Sequence, residues 1–216
     1  MEWSELSKIL LDFYSHKGIQ KHFDKDEEYL SKAFSEIELI WINNYDKIDS
    51  IKLVMLSEAP LWGKIKKYVY NPKINNSQFF YRSDLEFALN KCIKDKQDFI
   101  DKLNSIGFMI LDISPFPLNE NDTIINYKQM PCSDYRILLK NTLPLYFAEK
   151  LDLINIKKSE NIQLFYRYGR VRESFNDLIS QTIIDKGLIK STNEIGDISQ
   201  IGGGINRQKL YEIINK

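Results

Sequence analysis

The sequence predicts an α/β fold of three layers: a mainly parallel four-stranded sheet with helices on both faces. Three observations carry this. Short continuous apolar runs, LVML at 53–56 and FMIL at 108–111, mark strands buried on both faces. Stretches with helical spacing lie between such runs, as parallel crossovers require. Pro60, Pro115 and Pro117 come directly after two of the runs end.

The elements run in this order. Residues 3–15 place Trp3, Leu6, Ile9, Leu10 and Phe13 on one helical stripe. Residues 26–45 do the same through Tyr29, Leu30, Phe34, Ile37 and Trp41. Both precede the first strand, so residues 1–49 read as an N-terminal helical extension packed on a single α/β domain spanning 1–216. Residues 51–56 form the first strand. Residues 61–82 lack a period and carry turn residues at 71–72 and 75–76, but they hold Trp62, Tyr68, Tyr70, Phe79, Phe80 and Tyr81. Such aromatic content argues for an ordered, functional loop.

Helices are expected at 83–94 and 96–105, and a second strand at 108–113. A helix at 133–150, a third strand at 162–169 and a helix at 171–186 come next. A weaker fourth strand lies near 187–195, and a glycine turn leads into a last helix. No repeat, linker or low-complexity segment divides the chain.

Composition narrows the function. With 216 residues and 43% hydrophobic content, the chain can bury a substantial core. No apolar stretch reaches the ~20 residues that cross a bilayer. The N-terminus has early acids and no cleavage pattern. The expectation is a cytoplasmic monomer with no membrane partner. Cys92 and Cys132 supply neither zinc spacing nor a disulfide framework, and no cofactor or metal is required. Thirty basic and thirty acidic residues leave no net charge. Contact with nucleic acid would then rest on local patches, such as Lys64, Lys66 and Lys67, or Arg167, Arg170 and Arg172.

Open parallel sheets bind ligands beyond the C-terminal ends of their strands. The strand-terminal segments here are SEAP (57–60), DISPFPLN (112–119), RYGR (167–170) and GDISQIGGG (196–204). If they meet at one edge, Glu58, Asp112, Ser114, Asn119, Arg170, Asp197 and Ser199 share a pocket.

The order of these segments resembles the uracil-DNA glycosylase superfamily, over about residues 50–216. Several branches of that family carry Gly-Glu-Ala-Pro-Gly after the first strand; this chain has Ser57-Glu58-Ala59-Pro60-Leu61. An Asn that reads the base edge usually ends the second strand; Asp112 stands there. LFYRYGRVRESF looks like the family's third strand, glycine and helix. The family's His-Pro-Ser, on a loop that enters the minor groove, matches Asp197-Ile198-Ser199 only at its serine. Some branches hold an iron–sulfur cluster through four cysteines, which two cannot do.

The resemblance implies hydrolysis of an N-glycosidic bond, with DNA or another nucleobase-containing ligand as partner. It assigns Glu58 and Asp197 to catalysis. It assigns Ala59, Phe79, Phe80, Asp112 and Ser114 to the base, and Arg170, Ser199, Gly203 and Arg207 to phosphate. Such chemistry needs an acceptor near the sugar, donors near the base and an aromatic platform for the extruded base. An ionised Asp only accepts, so Asp112 disfavours uracil unless it is protonated. Two other classes fit the same residues. One is a non-catalytic relative that binds a nucleic acid, a nucleotide or a protein. The other is a different hydrolase using Glu58, Asp112 and Asp197 as a carboxylate cluster for Mg²⁺.

Overall fold

Four strands pair in parallel in the order β2-β1-β3-β4. They are β1 (Ile51–Ser57), β2 (Phe108–Asp112), β3 (Lys158–Tyr166) and β4 (Ile195–Asp197). The computed structural model describes residues 2–74, 79, 81–119, 122–126, 129–201 and 203–215. Eight α-helices are described: α1 (Trp3–His16), α2 (Phe23–Tyr45), α3 (Arg82–Leu89), α4 (Lys96–Ser105), α5 (Cys132–Thr142), α6 (Ala148–Lys157), α7 (Gly169–Asp185) and α8 (Arg207–Ile214). Helices flank the sheet, giving the expected α/β architecture. None is long and apolar enough to cross a membrane among the described residues.

The central strands are legible because both of their faces are covered. Every residue of β2 is buried, and all but Lys52 of β1. Leu85 of α3, Phe99 and Leu103 of α4 and Leu210 of α8 gather beside Met55, Phe108 and Ile110. Gly107 makes the turn into β2 at φ +69°, and a Cβ there would stand 2.3 Å from the Ser50 carbonyl oxygen.

The helices before β1 are built into this core. The Trp41 indole N–H donates to the Ile110 carbonyl at 3.3 Å, and the Tyr45 hydroxyl to the Leu153 carbonyl at 2.8 Å. Lys150 of α6 pairs with Glu38 of α2 at 2.5 Å. Asp26 accepts from both the Tyr14 hydroxyl and the Ile124 N–H, tying α1 and α2 to the loop after β2.

Several boundaries differ from the expected ones; the third strand, expected at 162–169, runs from Lys158 to Tyr166. The helix expected at 133–150 is interrupted by a π turn, Leu143–Phe147, and resumes to Lys157. Pro144 sits in that turn; lacking an N–H, it cannot continue the regular ladder. The helix expected at 83–94 stops at Leu89, where Asn90 takes the left-handed conformation at φ +49° and closes the end. The fourth strand is only Ile195–Asp197, because Ser191 caps a short 3₁₀ turn at Thr192–Glu194 just before it.

With β1 flanked by β2 and β3, the order in which strands are added reverses between β1 and β3. That is where such sheets open a crevice at their C-terminal edge. Strand register aligns Ser57 with Asp112, Leu56 with Tyr166, and Tyr166 with Asp197. All four strands therefore end near one level.

Candidate functional site

β1 ends at Ser57, and two bonds from the neighbouring strand's exit fix the turn at Ser57 and Glu58. Ile113 N–H donates to the Ser57 carbonyl at 3.0 Å, and Ser114 N–H to the Glu58 carbonyl at 3.2 Å. The Tyr135 hydroxyl of α5 adds a third bond, to the Glu58 carbonyl at 3.1 Å. The backbone of Glu58 is thus held from two sides, and the residue lines a cavity of about 360 Å³. Ser57 through Leu61 line it together with Ile110, Asp112, Leu118 and Asn119. Tyr68, Tyr81 and Tyr168 supply aromatic surface.

The long loop is fastened around this space. Trp62 N–H donates to Asn119 Oδ1 at 3.1 Å, and Gly63 N–H to the Tyr29 hydroxyl at 3.2 Å. Gly63 has φ +65°, and a Cβ there would come within 3.0 Å of the Asn119 amide. Tyr70 accepts from Ile110 N–H at 2.5 Å, pinning the loop to β2.

Burial dominates the electrostatics. It raises Glu58 above the usual carboxylate range, while Arg170 opposes the shift. Arg170 Nη2 lies 3.5 Å from Glu58 Oε1, which is buried and accepts no hydrogen bond. Asp112 is 4% exposed, and burial pushes it up to about 7 against the Ser57 hydrogen bond and the Arg167 charge. Its carboxyl therefore titrates near neutrality. The Tyr68 hydroxyl is buried with no hydrogen-bond partner.

Arg167, 6% exposed, continues from β3 and lays its guanidinium over Tyr168 (3.6 Å) and Tyr81 (4.5 Å). Its Nη2 donates to the Gly203 carbonyl at 3.4 Å; Nε and Nη1 are buried without partners. Through Gly203, Arg167 is joined to a turn closed by an antiparallel bridge between Ser199 and Ile205. Ile201, in this turn, is fully exposed.

The structure brings some of the expected residues together and separates others. Glu58, Ala59, Asp112 and Asn119 line one cavity. Ser114 stands just behind it, buried, with its hydroxyl accepting from Phe116 N–H at 3.1 Å. Arg170 reaches the site only through Glu58.

Asp197 is apart from the cavity lining, bound to Arg172 at 2.7 Å and accepting from Ser199 N–H at 3.0 Å. Ser199 packs beside Gly169 at the start of α7. Arg207 holds Asp84 at 2.6 Å and Ser83 at 2.9 Å, so it is committed elsewhere.

Phe79 does not line this cavity: its ring lies 5.3 Å from Phe99, with the Lys96 ammonium 5.0 Å from the ring centre. Core packing accounts for it. Phe80 lies outside the described residues. Among the described residues no three His, Cys, Asp or Glu side chains gather as a metal site would need, so Glu58, Asp112 and Asp197 are not a carboxylate cluster.

The sequence marks Tyr68 only as one ring of the aromatic loop and Arg167 only as one of a basic patch, and it does not single out Tyr168 or Ile201. Tyr168 and Arg167 lie inside the RYGR segment, so their position after a buried strand is the available signal. Compared with protein-family models, curated proteins and solved structures, the chain matches none.

Proposed function

We propose that this protein binds a nucleobase in the cavity at the β1/β2 edge and cleaves its N-glycosidic bond. One observation carries the proposal: Glu58 and Asp112, from the ends of adjacent strands, line a single cavity whose other surfaces include aromatic rings. A cavity of about 360 Å³ is in the range of small-ligand sites.

In this proposal Glu58 orients a water molecule toward C1′ of the sugar. The water oxygen bonds to C1′ as the electron pair of the C1′–N bond leaves with the base, and the water's proton passes to Glu58. A carboxylate made more basic by burial is a better proton acceptor, provided Arg170 keeps it ionised. The same negative charge stabilises the oxocarbenium-like sugar. Asp112 meets the polar edge of the base. Ile201 adds support from outside the cavity: an exposed apolar side chain on a tight turn is suited to wedge between base steps of a kinked duplex.

The test is a panel of oligonucleotides, each with one altered base, incubated with the native chain and with Glu58→Gln. Product from the native chain with a loss of about 10²–10⁴-fold in the variant is expected. Equal traces of product from both would remove the proposal.

A second function is favoured by a separate observation. Arg170, Arg172 and Arg207 each already hold a carboxylate. A relative that binds a nucleotide without cleaving it needs fewer free cations at the rim. Binding of the altered-base oligonucleotides with no product would select it.

A further inference from the structure

A second cavity, of about 410 Å³, lies between α2, α4 and the long loop after β1. The loop divides it from the first. Lys67, Tyr68 and Val69 line the first cavity, while Trp62, Lys66, Tyr70 and Asn71 line the second. Ile40 of α2 and Ile100 of α4 join Trp62 and Tyr70 in giving it apolar surface.

One buried polar group at this cavity has nothing to bond. Asn44 of α2 lines it and is 4% exposed. The Asn44 Oδ1 accepts from Asn104 Nδ2 of α4 at 3.0 Å, but the Asn44 Nδ2 is buried with no hydrogen-bond partner. A closed pair of amides makes two bonds. This pair makes one, and Asn44 keeps a spare donor. Asn104 Oδ1 is also buried without a partner, but Asn104 does not line this cavity. A buried donor left unbonded calls for an acceptor from elsewhere.

Charge selects the kind of acceptor. Lys47, Lys66 and Lys73 line the cavity against one acid, Glu36, which Lys66 already holds. Among the described residues Lys47 and Lys73 hold no carboxylate. The Lys47 N–H donates to the Asn44 carbonyl at 3.1 Å, so that lysine leaves the chain within one turn of the spare donor. The carbonyl end of α2 would repel an anion, but Lys157 covers it, donating to the Tyr45 and Asp46 carbonyls at 2.9 and 3.4 Å.

We propose that this second cavity binds a small organic anion: a compact apolar body carrying one carboxylate or phosphate. An oxygen of the ligand accepts from Asn44 Nδ2, and Lys47 and Lys73 balance its charge. The site stands independently of the base-binding function, since none of its lining residues lines the first cavity.

The experiment titrates 2-naphthoate and 2-naphthyl phosphate into the full chain by calorimetry, with 2-naphthamide as the uncharged match. The native chain is expected to bind at least one anion about fivefold or more tighter than the amide. The tighter of the two anions identifies the group that the site takes. Lys47→Gln/Lys73→Gln alters only exposed side chains and so spares the fold. It is expected to weaken the anion by about fivefold or more and to leave the amide within about twofold. Asn44→Asp keeps an oxygen for Asn104 Nδ2 and replaces the spare donor by an acceptor. It is expected to weaken the anion by about tenfold or more. If that variant fails to fold, the lysine variant decides alone.

No binding of either anion at millimolar concentration overturns the proposal. So does an amide that binds as tightly as both anions, which is adsorption to apolar surface. Anion affinity unchanged in the lysine variant overturns it whatever Asn44→Asp does. Affinity kept in a folded Asn44→Asp overturns it as well, because surface charge alone would then account for binding.

Discussion

On the cavity side of the sheet edge, Glu58, Tyr68 and Arg167 all bury polar atoms that have no hydrogen-bond partner. Outside the cavity lining, Asp197 at the end of β4 accepts from Arg172 and from Ser199 N–H, and Arg207 holds Asp84 and Ser83. Both regions sit at the same end of the same sheet, and the sequence predicts ligand contacts for both. Buried unpaired groups cost stability, commonly about 1–3 kcal/mol each, and persist where something else supplies the partner. Saturated ion pairs at a partly exposed rim make no such demand. The difference favours the β1/β2 end over the β3/β4 end as the place for the proposed chemistry.

The sharpest way to break that contrast is Asp112→Asn. The folded carboxyl titrates near 7 and the unfolded one near ~3.9, so the native state holds the extra proton between those values. Stability from this group is complete below the unfolded value and is lost as pH rises through about 7. The variant has no proton to lose. Chemical denaturation should show the variant gaining on the native chain by about 3 kcal/mol between pH 5 and pH 8, out of about 4 kcal/mol over the whole titration. Equal differences at the two pH values would mean that Asp112 is not held in a dry site.

Tyr68→Phe comes next in size. If the hydroxyl waits for a ligand, its removal relieves a buried unpaired group and stabilises the free protein, by about 1–3 kcal/mol. It should weaken base binding at the same time. Destabilisation instead would reveal a partner already in place, and the cavity side would lose one of its distinguishing groups.

How far this contrast is legible in the sequence depends on distance along the chain. Leu53–Leu56 and Phe108–Leu111 announce buried strands by composition alone, and the acids just beyond them, Glu58 and Asp112, inherit a position at the sheet edge. Local pattern fixes those. It does not say which ring of an aromatic-rich loop faces the cavity. Phe79 packs on Phe99 while Tyr68 lines the site, although both sit in the same stretch.

Nor does a lysine in the middle of α6 show that it is buried: Lys150 acquires its burial from Trp41 and Glu38, more than a hundred residues earlier. Pro144 is visible in the sequence, but its effect is not; a π turn absorbs it and α6 continues. The helices before β1 look like an addition because their partners, Ile110, Leu153 and Lys150, are remote in sequence.

Arg170→Gln sharpens the boundary between the two regions. Arg170 lies at the start of α7 and holds Glu58 down against the upward push of burial. Without it Glu58 rises further, so the acid limb of a pH–rate profile moves to higher pH, and activity falls most at low pH. If DNA phosphate also draws on this guanidinium, the salt slope of oligonucleotide binding falls by about 1. A moved acid limb with an unchanged slope confines Arg170 to Glu58; the reverse makes it a phosphate contact that Glu58 merely parks.

The smallest effect belongs to Asp197→Asn. A carboxylate paired with a half-exposed arginine contributes about 0–1 kcal/mol, because water competes for both charges. The asparagine keeps an oxygen that can accept from Ser199 N–H, so the bridge between Ser199 and Ile205 should survive. Arg172 then keeps only its contact with Glu173 at 3.2 Å and, half-exposed at the rim, has Nη1 available to phosphate. We therefore expect stability within about 1 kcal/mol of the native chain, excision unchanged within about threefold, and oligonucleotide binding equal or tighter at low salt. A loss of excision comparable to that of Glu58→Gln would return Asp197 to the catalytic role expected from its place in the degenerate motif. It would also erase the distinction between the two ends of the sheet edge, since a side chain absent from the cavity lining would then be doing chemistry within it.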